Sequence, residues 1–141
     1  MEIENKRVMM LLLDKEEVIF TDLFLSEEAP DDEDMVLIET TINGEKISVK
    51  SENFFLALQK LREDLEKKNI QIMCNGAAKN VYLSPMQMSM GSGRKGYRLV
   101  MGQQAKNANI VDIFNYDEEL DFVNVGVQSE YYTEWLKSVM D

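Results

Sequence analysis

The sequence predicts one α+β domain over residues 1–141. Its sheet is mixed or antiparallel with hairpins, and a central helix (about 52–68) and a C-terminal helix (about 130–140) pack on it. Three observations predict this. Asn43-Gly44 stands between two runs that alternate apolar and polar residues, and this dipeptide suits the two positive-φ positions of a type I′ turn. Phe54, Leu58, Leu61 and Leu65 recur at steps of 4, 3 and 4, which collects them on one side of a helix. No internal repeat or low-complexity linker divides the 141 residues, a length near the commonest for one domain.

Two apolar runs come first, 7–13 (RVMMLLL) and 18–25 (VIFTDLFL), separated by the polar turn Asp14–Glu17. They read as two buried strands joined as a hairpin, with a helix over the first run as the alternative. The loop Ser26–Asp34 then carries Glu27, Glu28, Asp31, Asp32, Glu33 and Asp34 around Pro30. Self-repulsion and the proline keep such a loop exposed. A two-residue turn at Asn43-Gly44 pairs Ile42 with Glu45, Thr40 with Ile47 and Ile38 with Val49. Ile38, Thr40, Ile47 and Val49 then share one face, and Glu39, Thr41, Lys46 and Ser48 the other, in agreement with the hydrophobic alternation.

Ser51 is placed to cap the central helix, with Glu52 near its positive end. Lys60, Arg62, Glu63, Lys67 and Lys68 largely cover the surface outside the apolar stripe. Asn69 ends the helix, and Ile70, Ile72 and Cys74 alternate as a strand. Strand, helix and strand over 45–74 would form a right-handed crossover if the two strands are parallel. Beyond Asn75-Gly76, Val81–Leu83 is a short apolar piece, and Met86, Met88 and Met90 lead into a glycine-rich loop. Tyr97, Leu99 and Met101 alternate as a strand. Residues 110–114 and 122–127 are weaker strand candidates on either side of the acidic turn Asp117–Asp121. The last helix starts after Ser129 and docks Tyr132, Trp135, Leu136, Val139 and Met140.

Charge is unevenly distributed along the chain. The formal net charge is −11, yet the 45 residues Lys67–Val111 contain no Asp or Glu and seven bases. Residues 1–40 hold 13 acids and 3 bases, 41–110 hold 5 acids and 11 bases, and 111–141 hold 8 acids and 1 base. This sorting suggests surfaces of opposite sign and a binding protein. A sequence pI near 4.5 argues against nucleic acid as a partner, because phosphates would be repelled, and favours a basic protein. The chain has no histidine, so Ser–His and Cys–His nucleophiles and imidazole metal ligands are excluded. One cysteine, Cys74, excludes an intramolecular disulfide and a multi-cysteine metal site. With no apolar run of membrane-spanning length and no secretion signal in MEIENKRV, the expectation is a soluble, cytoplasmic protein without a cofactor.

Residues Gly91–Gly96 spell GSGRKG, a literal G-x-G-x-x-G. A dinucleotide site needs a helix after these glycines, whereas the residues that follow alternate like a strand. In a modest anion site, Gly91 and Gly93 would let backbone N–H groups approach, with Arg94 and Lys95 supplying charge. A hairpin turn needing positive φ explains the glycines equally well. Asp31-Asp32-Glu33-Asp34 lacks the spacing and glycine of an EF-hand, which leaves a solvated charge run or a phosphate mimic offered to a basic cleft. Cys74, on the buried side of its strand, reads as an inert core thiol. The methionines between 73 and 101 suit either a core or an adaptable contact surface, and Tyr131, Tyr132 and Trp135 either core packing or an interface.

The segment 74–114 carries Cys74-Asn75-Gly76-Ala77, Tyr82 with Ser84, Met90-Gly91 with Gly93, Lys95 with Tyr97, Gly102, Ala105 and Val111-Asp112-Ile113-Phe114. This block, roughly a third of the chain, resembles small uncharacterised bacterial proteins encoded near polymorphic or contact-dependent toxins. The resemblance carries over no activity and implies an immunity protein that binds and neutralises a cognate toxin; without histidine or a catalytic triad the chain is not expected to be an enzyme. Composition points to the same class. In that reading Glu27, Glu28, Asp31, Asp32, Glu33 and Asp34, or Asp117, Glu118 and Glu119, meet the cationic cleft of a basic nuclease. The alternative is a small anion- or nucleotide-binding protein or enzyme, with Arg94, Lys95 and Tyr97 on the anion and Asp112 as carboxylate. A homo-oligomeric regulatory module is a third class.

Overall fold

Two antiparallel sheets of unequal size share the chain in the computed structural model, which describes residues 2–140. The larger sheet contains β1 (Glu4–Leu12), β2 (Glu17–Ser26), β3 (Val36–Ile42), β4 (Glu45–Ser51) and β5 (Ile70–Met73), in the order β4-β3-β2-β1-β5. The helix α1 (Phe54–Glu66) packs on one face. The smaller sheet orders β6 (Val81–Tyr82), β7 (Lys95–Arg98) and β8 (Ile110–Asp112) as β6-β7-β8. A short helix α2 (Pro85–Ser89) links β6 to β7, and α3 (Val125–Val139) closes the fold. The architecture is the predicted α+β.

The Asn43-Gly44 hairpin has the expected register, with Ile42 opposite Glu45, Thr40 opposite Ile47 and Ile38 opposite Val49. Phe54, Leu58, Leu61 and Leu65 are all fully buried against the sheet. Strands β4 and β5 run in the same sense, because both oppose β1, but they lie at opposite edges of the sheet with three strands between.

Several expectations are corrected. The hairpin β1–β2 is buried on one face only, and Val18, Phe20 and Phe24 remain 47%, 57% and 41% exposed. The α1 cap is Asn53, whose Oδ1 accepts from Leu56 N–H at 2.9 Å. Ser51 cannot serve, because it ends β4 opposite Val36. Met86 and Met88 lie on α2, where Ser84 forms a capping box with Gln87 and Pro85 opens the first turn. Residues 122–127 contribute only a single bridge, Phe122 to Ala78. Asn124 caps α3 by accepting from Val127 N–H at 2.8 Å, so this helix starts five residues earlier than predicted. Trp135 is buried and donates to the Val100 and Gln103 carbonyls, whereas Met140 is exposed.

Arg62 departs furthest from expectation. Expected on the solvated side of α1, it is 1% exposed. Its guanidinium donates to the Gly76 carbonyl at 3.2 Å, the Val123 carbonyl at 2.8 Å and Gln128 Oε1. Gln128, fully buried, donates through Nε2 to the carbonyls of Gly76, Ala78 and Val81. This polar seam joins α1, the segment 75–81 and α3, and it satisfies carbonyls that no sheet ladder reaches. No carboxylate lies within ion-pair distance of Arg62 among the described residues, and burial pushes its pKa down.

Candidate partner-binding surface

The acidic loop Ser26–Asp34 is exposed but internally organised. Ala29 is buried and donates its N–H to the Met35 carbonyl at 2.8 Å, while Asp32 N–H bonds the Ala29 carbonyl at 3.1 Å. Asp32 Oδ1 accepts from Asp34 N–H at 3.0 Å, an Asx turn that fixes the loop tip. Lys50 on β4 holds Asp31 at 2.7 Å, which lowers the Asp31 pKa. Glu27, Glu28, Glu33 and Asp34 are exposed and make no ion pair with a described residue. The loop therefore presents free carboxylates from a folded support.

Glu27 and Glu28 also line a cleft of about 570 Å³ with Glu2, Glu4, Phe54 and Arg94. Arg94 is committed to the molecule itself. It forks onto Glu4 at 2.9 and 3.3 Å, lies 3.6 Å from Asp112, and stacks its guanidinium over Phe54 and Phe114. The hydrogen bond from Arg94 holds the Glu4 carboxyl below its ordinary value. Lys95, well exposed, lies 3.6 Å from the same Asp112.

The glycines preceding Arg94 do not form a hairpin. Gly91, Ser92 and Gly93 all have positive φ and make a 3-10 turn between α2 and β7. Gly93 N–H bonds Met90 O and Arg94 N–H bonds Gly91 O, so these donors are engaged inside the turn. A Cβ on Gly93 would fall 2.8 Å from Asn53 Cβ. Close packing on the α1 cap accounts for this glycine.

The turn Asp117–Asp121 is differently used. Asp117 Oδ2 accepts from the buried Asn75 Nδ2 at 2.9 Å, Glu119 pairs with Arg98 at 2.7 Å, and Leu120 is buried. Only Glu118, among the three residues 117–119, is exposed without an ion-pair partner among the described residues.

Six of the seven ion pairs among the described residues join a base from segment 41–110 to an acid from 1–40 or 111–141. The sorting of charge in sequence thus largely serves internal neutralisation. This pairing departs from the expected separation into two opposed surfaces, while Glu27, Glu28, Asp32, Glu33 and Asp34 in the loop keep no ion-pair partner among the described residues.

Beside this loop lies a feature the sequence reading missed. The sheet face opposite α1 carries Val18 beside Leu11, Phe20 beside Met9, and Phe24 beside Asn5 and Glu39; Met9 in turn neighbours Met73 on β5. Asp22 sits opposite Arg7 on the same face, and Arg7 lies over the Phe20 ring at 5.5 Å. Since β2 ends at Ser26, this face leads directly into Glu27 and Glu28. The legible signal was Asp22, which shares strand parity with Phe20 and Phe24 and marks that parity as outward.

Among the described residues, no group of three or more His, Cys, Asp or Glu side chains is placed to hold a metal ion, and no helix is long and apolar enough to cross a membrane. Burial raises the Cys74 thiol to about 12, far from nucleophilic. Compared with protein-family models and with curated proteins, the chain matches none.

Proposed function

We propose that this protein is an immunity-type inhibitor that captures a basic protein toxin, a nuclease with a cationic cleft, in the cytoplasm and acts by occlusion rather than catalysis. The observation that carries the reading is the loop Ser26–Asp34. Its backbone is braced by Ala29, Asp32 and the Lys50–Asp31 pair, while Glu27, Glu28, Glu33 and Asp34 face solvent. Carboxylates fixed in advance bind a cationic surface with less ordering cost and speed its approach. The adjoining Val18–Phe20–Phe24 face supplies an apolar centre for which the loop forms a charged rim. The glycine-loop alternative loses support because Arg94 already holds Glu4 and Asp112.

The test is stopped-flow association with a basic nuclease toxin domain selected by co-expression with this protein. Glu28→Gln/Glu33→Gln/Asp34→Asn is expected to slow association about tenfold at low salt and to flatten its salt dependence. Phe20→Ser is expected to act mainly on dissociation. Unchanged rates in both variants would remove this surface from the mechanism.

A further inference from the structure

Each sheet leaves a strand edge open, and the two edges border the same cleft. Strand β5 pairs with β1 only over Met9–Leu12, while β1 continues back to Glu4 without it. The bond from Leu13 N–H to the Asn69 carbonyl fixes the alternation. Leu13, Leu11 and Met9 bond toward β5, so Arg7 and Asn5 present their N–H and C=O groups on that side, beyond the end of β5. Among the described residues, no main-chain group meets them there. Strand β8 is the edge of the small sheet. Ile113 N–H bonds the Arg94 carbonyl, which makes Val111 with Gly96 a bonded pair and turns the main-chain groups of Ile110 and Asp112 away from β7. Ile110 N–H is held by Asn107 O, and the Asp112 carbonyl accepts from Asn75 Nδ2 and Asn115 N–H. Ile110 C=O and Asp112 N–H have no main-chain partner among the described residues.

Arg7 and the strand β8 both line a cleft of about 740 Å³. Its walls carry Met9, Phe20, Met73, Ile110 and Tyr116, of which Phe20, Ile110 and Tyr116 are exposed. Asn75, two residues past β5, links the walls. Its Nδ2 donates to the Asp112 carbonyl at 3.2 Å and to Asp117 Oδ2 at 2.9 Å, which fixes the amide. Its Oδ1 has no hydrogen-bond partner, although the residue is 1% exposed. A buried acceptor left unmet in this way calls for a donor that the chain does not supply. One exposed bond, from Lys6 Nζ to Asn115 Oδ1 at 3.2 Å, joins the walls, and a bond of this kind contributes little net stability.

We infer that this cleft is a peptide-binding site, which takes an extended segment of a protein partner between β1 and β8 and so joins the two sheets. A single strand offers N–H and C=O groups alternately to its two sides, which matches an open edge on each wall. Main-chain groups supply the affinity, and alternate side chains supply the selection. One face of the inserted strand continues the face of Met9, Phe20 and Met73, so the preferred segment is apolar at every second position. The site shares Phe20 with the surface proposed above but takes nothing from the acidic loop. Its test uses peptides alone and succeeds or fails without a toxin.

The probe is the capped, uncharged pentapeptide Ser-Val-Thr-Val-Ser, titrated into the full chain and followed by amide NMR. Shifts and slowed exchange are expected at Asn5, Arg7 and Asp112. A control with asparagine in place of both valines is expected to bind about tenfold more weakly. N-methylation at both valines removes the donors facing one wall, and N-methylation at the central threonine removes the donor facing the other. Each is expected to abolish binding. Arg7→Pro removes an outward N–H and leaves the β2 ladder intact. It is expected to abolish binding while the remaining amide shifts show the fold unchanged, whereas Arg7→Gln keeps the N–H and binds as the parent does. No binding, equal affinity for the asparagine peptide, tolerance of either N-methyl pattern, or shifts centred elsewhere would overturn the inference. So would a sedimenting dimer that protects β1 and β8.

Discussion

Loop Ser26–Asp34 and turn Asp117–Asp121 are both acidic in sequence, yet the fold uses them in opposite ways. In the loop, backbone contacts and one pair, Lys50–Asp31, hold the shape while the other glutamates and Asp34 face outward. In the turn, Asp117 holds the buried Asn75, Glu119 holds Arg98, and Leu120 anchors the chain in a small apolar cluster. A run of like charge is therefore not itself a binding signal. What separates the two is whether the carboxylates have internal partners. Substitutions in the turn should cost stability and spare association, whereas substitutions in the loop should do the reverse.

The largest effect is expected beneath the turn. Gln128→Ala removes the acceptor facing Arg62 and the donor serving three buried carbonyls. The expected loss is about 3 kcal/mol in urea unfolding. A loss below about 1 kcal/mol would mean the seam is not a structural joint. Next comes Asp117→Ala, which leaves Asn75 Nδ2 with only the Asp112 carbonyl at 3.2 Å. We expect about 1–2 kcal/mol of destabilisation and an unaltered association rate. The loop variant Glu28→Gln/Glu33→Gln/Asp34→Asn should instead stay within about 0.5 kcal/mol of the parent.

The smallest effect concerns pH. Glu4 has its pKa lowered from an ordinary 4.5, first by the hydrogen bond from Arg94. A depressed folded value means that this contribution to stability is complete above the unfolded value and is lost as the pH falls through the folded one. Glu4→Gln should therefore narrow the stability difference between pH 7 and acid below pH 4.5. Because Glu4 is 49% exposed, solvent screening keeps this change small.

How much of this was legible depends on how local the determining contact is. The Asn43-Gly44 register and the Phe54–Leu65 stripe follow from short-range periodicity, and both were readable. Arg62 was misread because its partners, Gly76, Val123 and Gln128, lie up to 66 residues away, and nothing adjacent in sequence announces a buried guanidinium. The start of α3 was missed because Gly126 interrupts an apolar run that imitates a strand, while the Asn124 cap gives the stronger cue. For the candidate site, the exposed acidic loop was readable from charge and Pro30. Its bracing by Lys50, the commitment of Arg94 to Glu4 and the exposed Phe20 and Phe24 are products of tertiary packing.

The most direct test of the central claim places the loop variant and Asp117→Ala beside the parent in one stopped-flow series with the proposed partner, a basic toxin domain, across a range of salt. The account predicts that the loop variant alone associates more slowly and loses salt sensitivity, while Asp117→Ala follows the parent. Equal slowing in both, or slowing in Asp117→Ala alone, would contradict it.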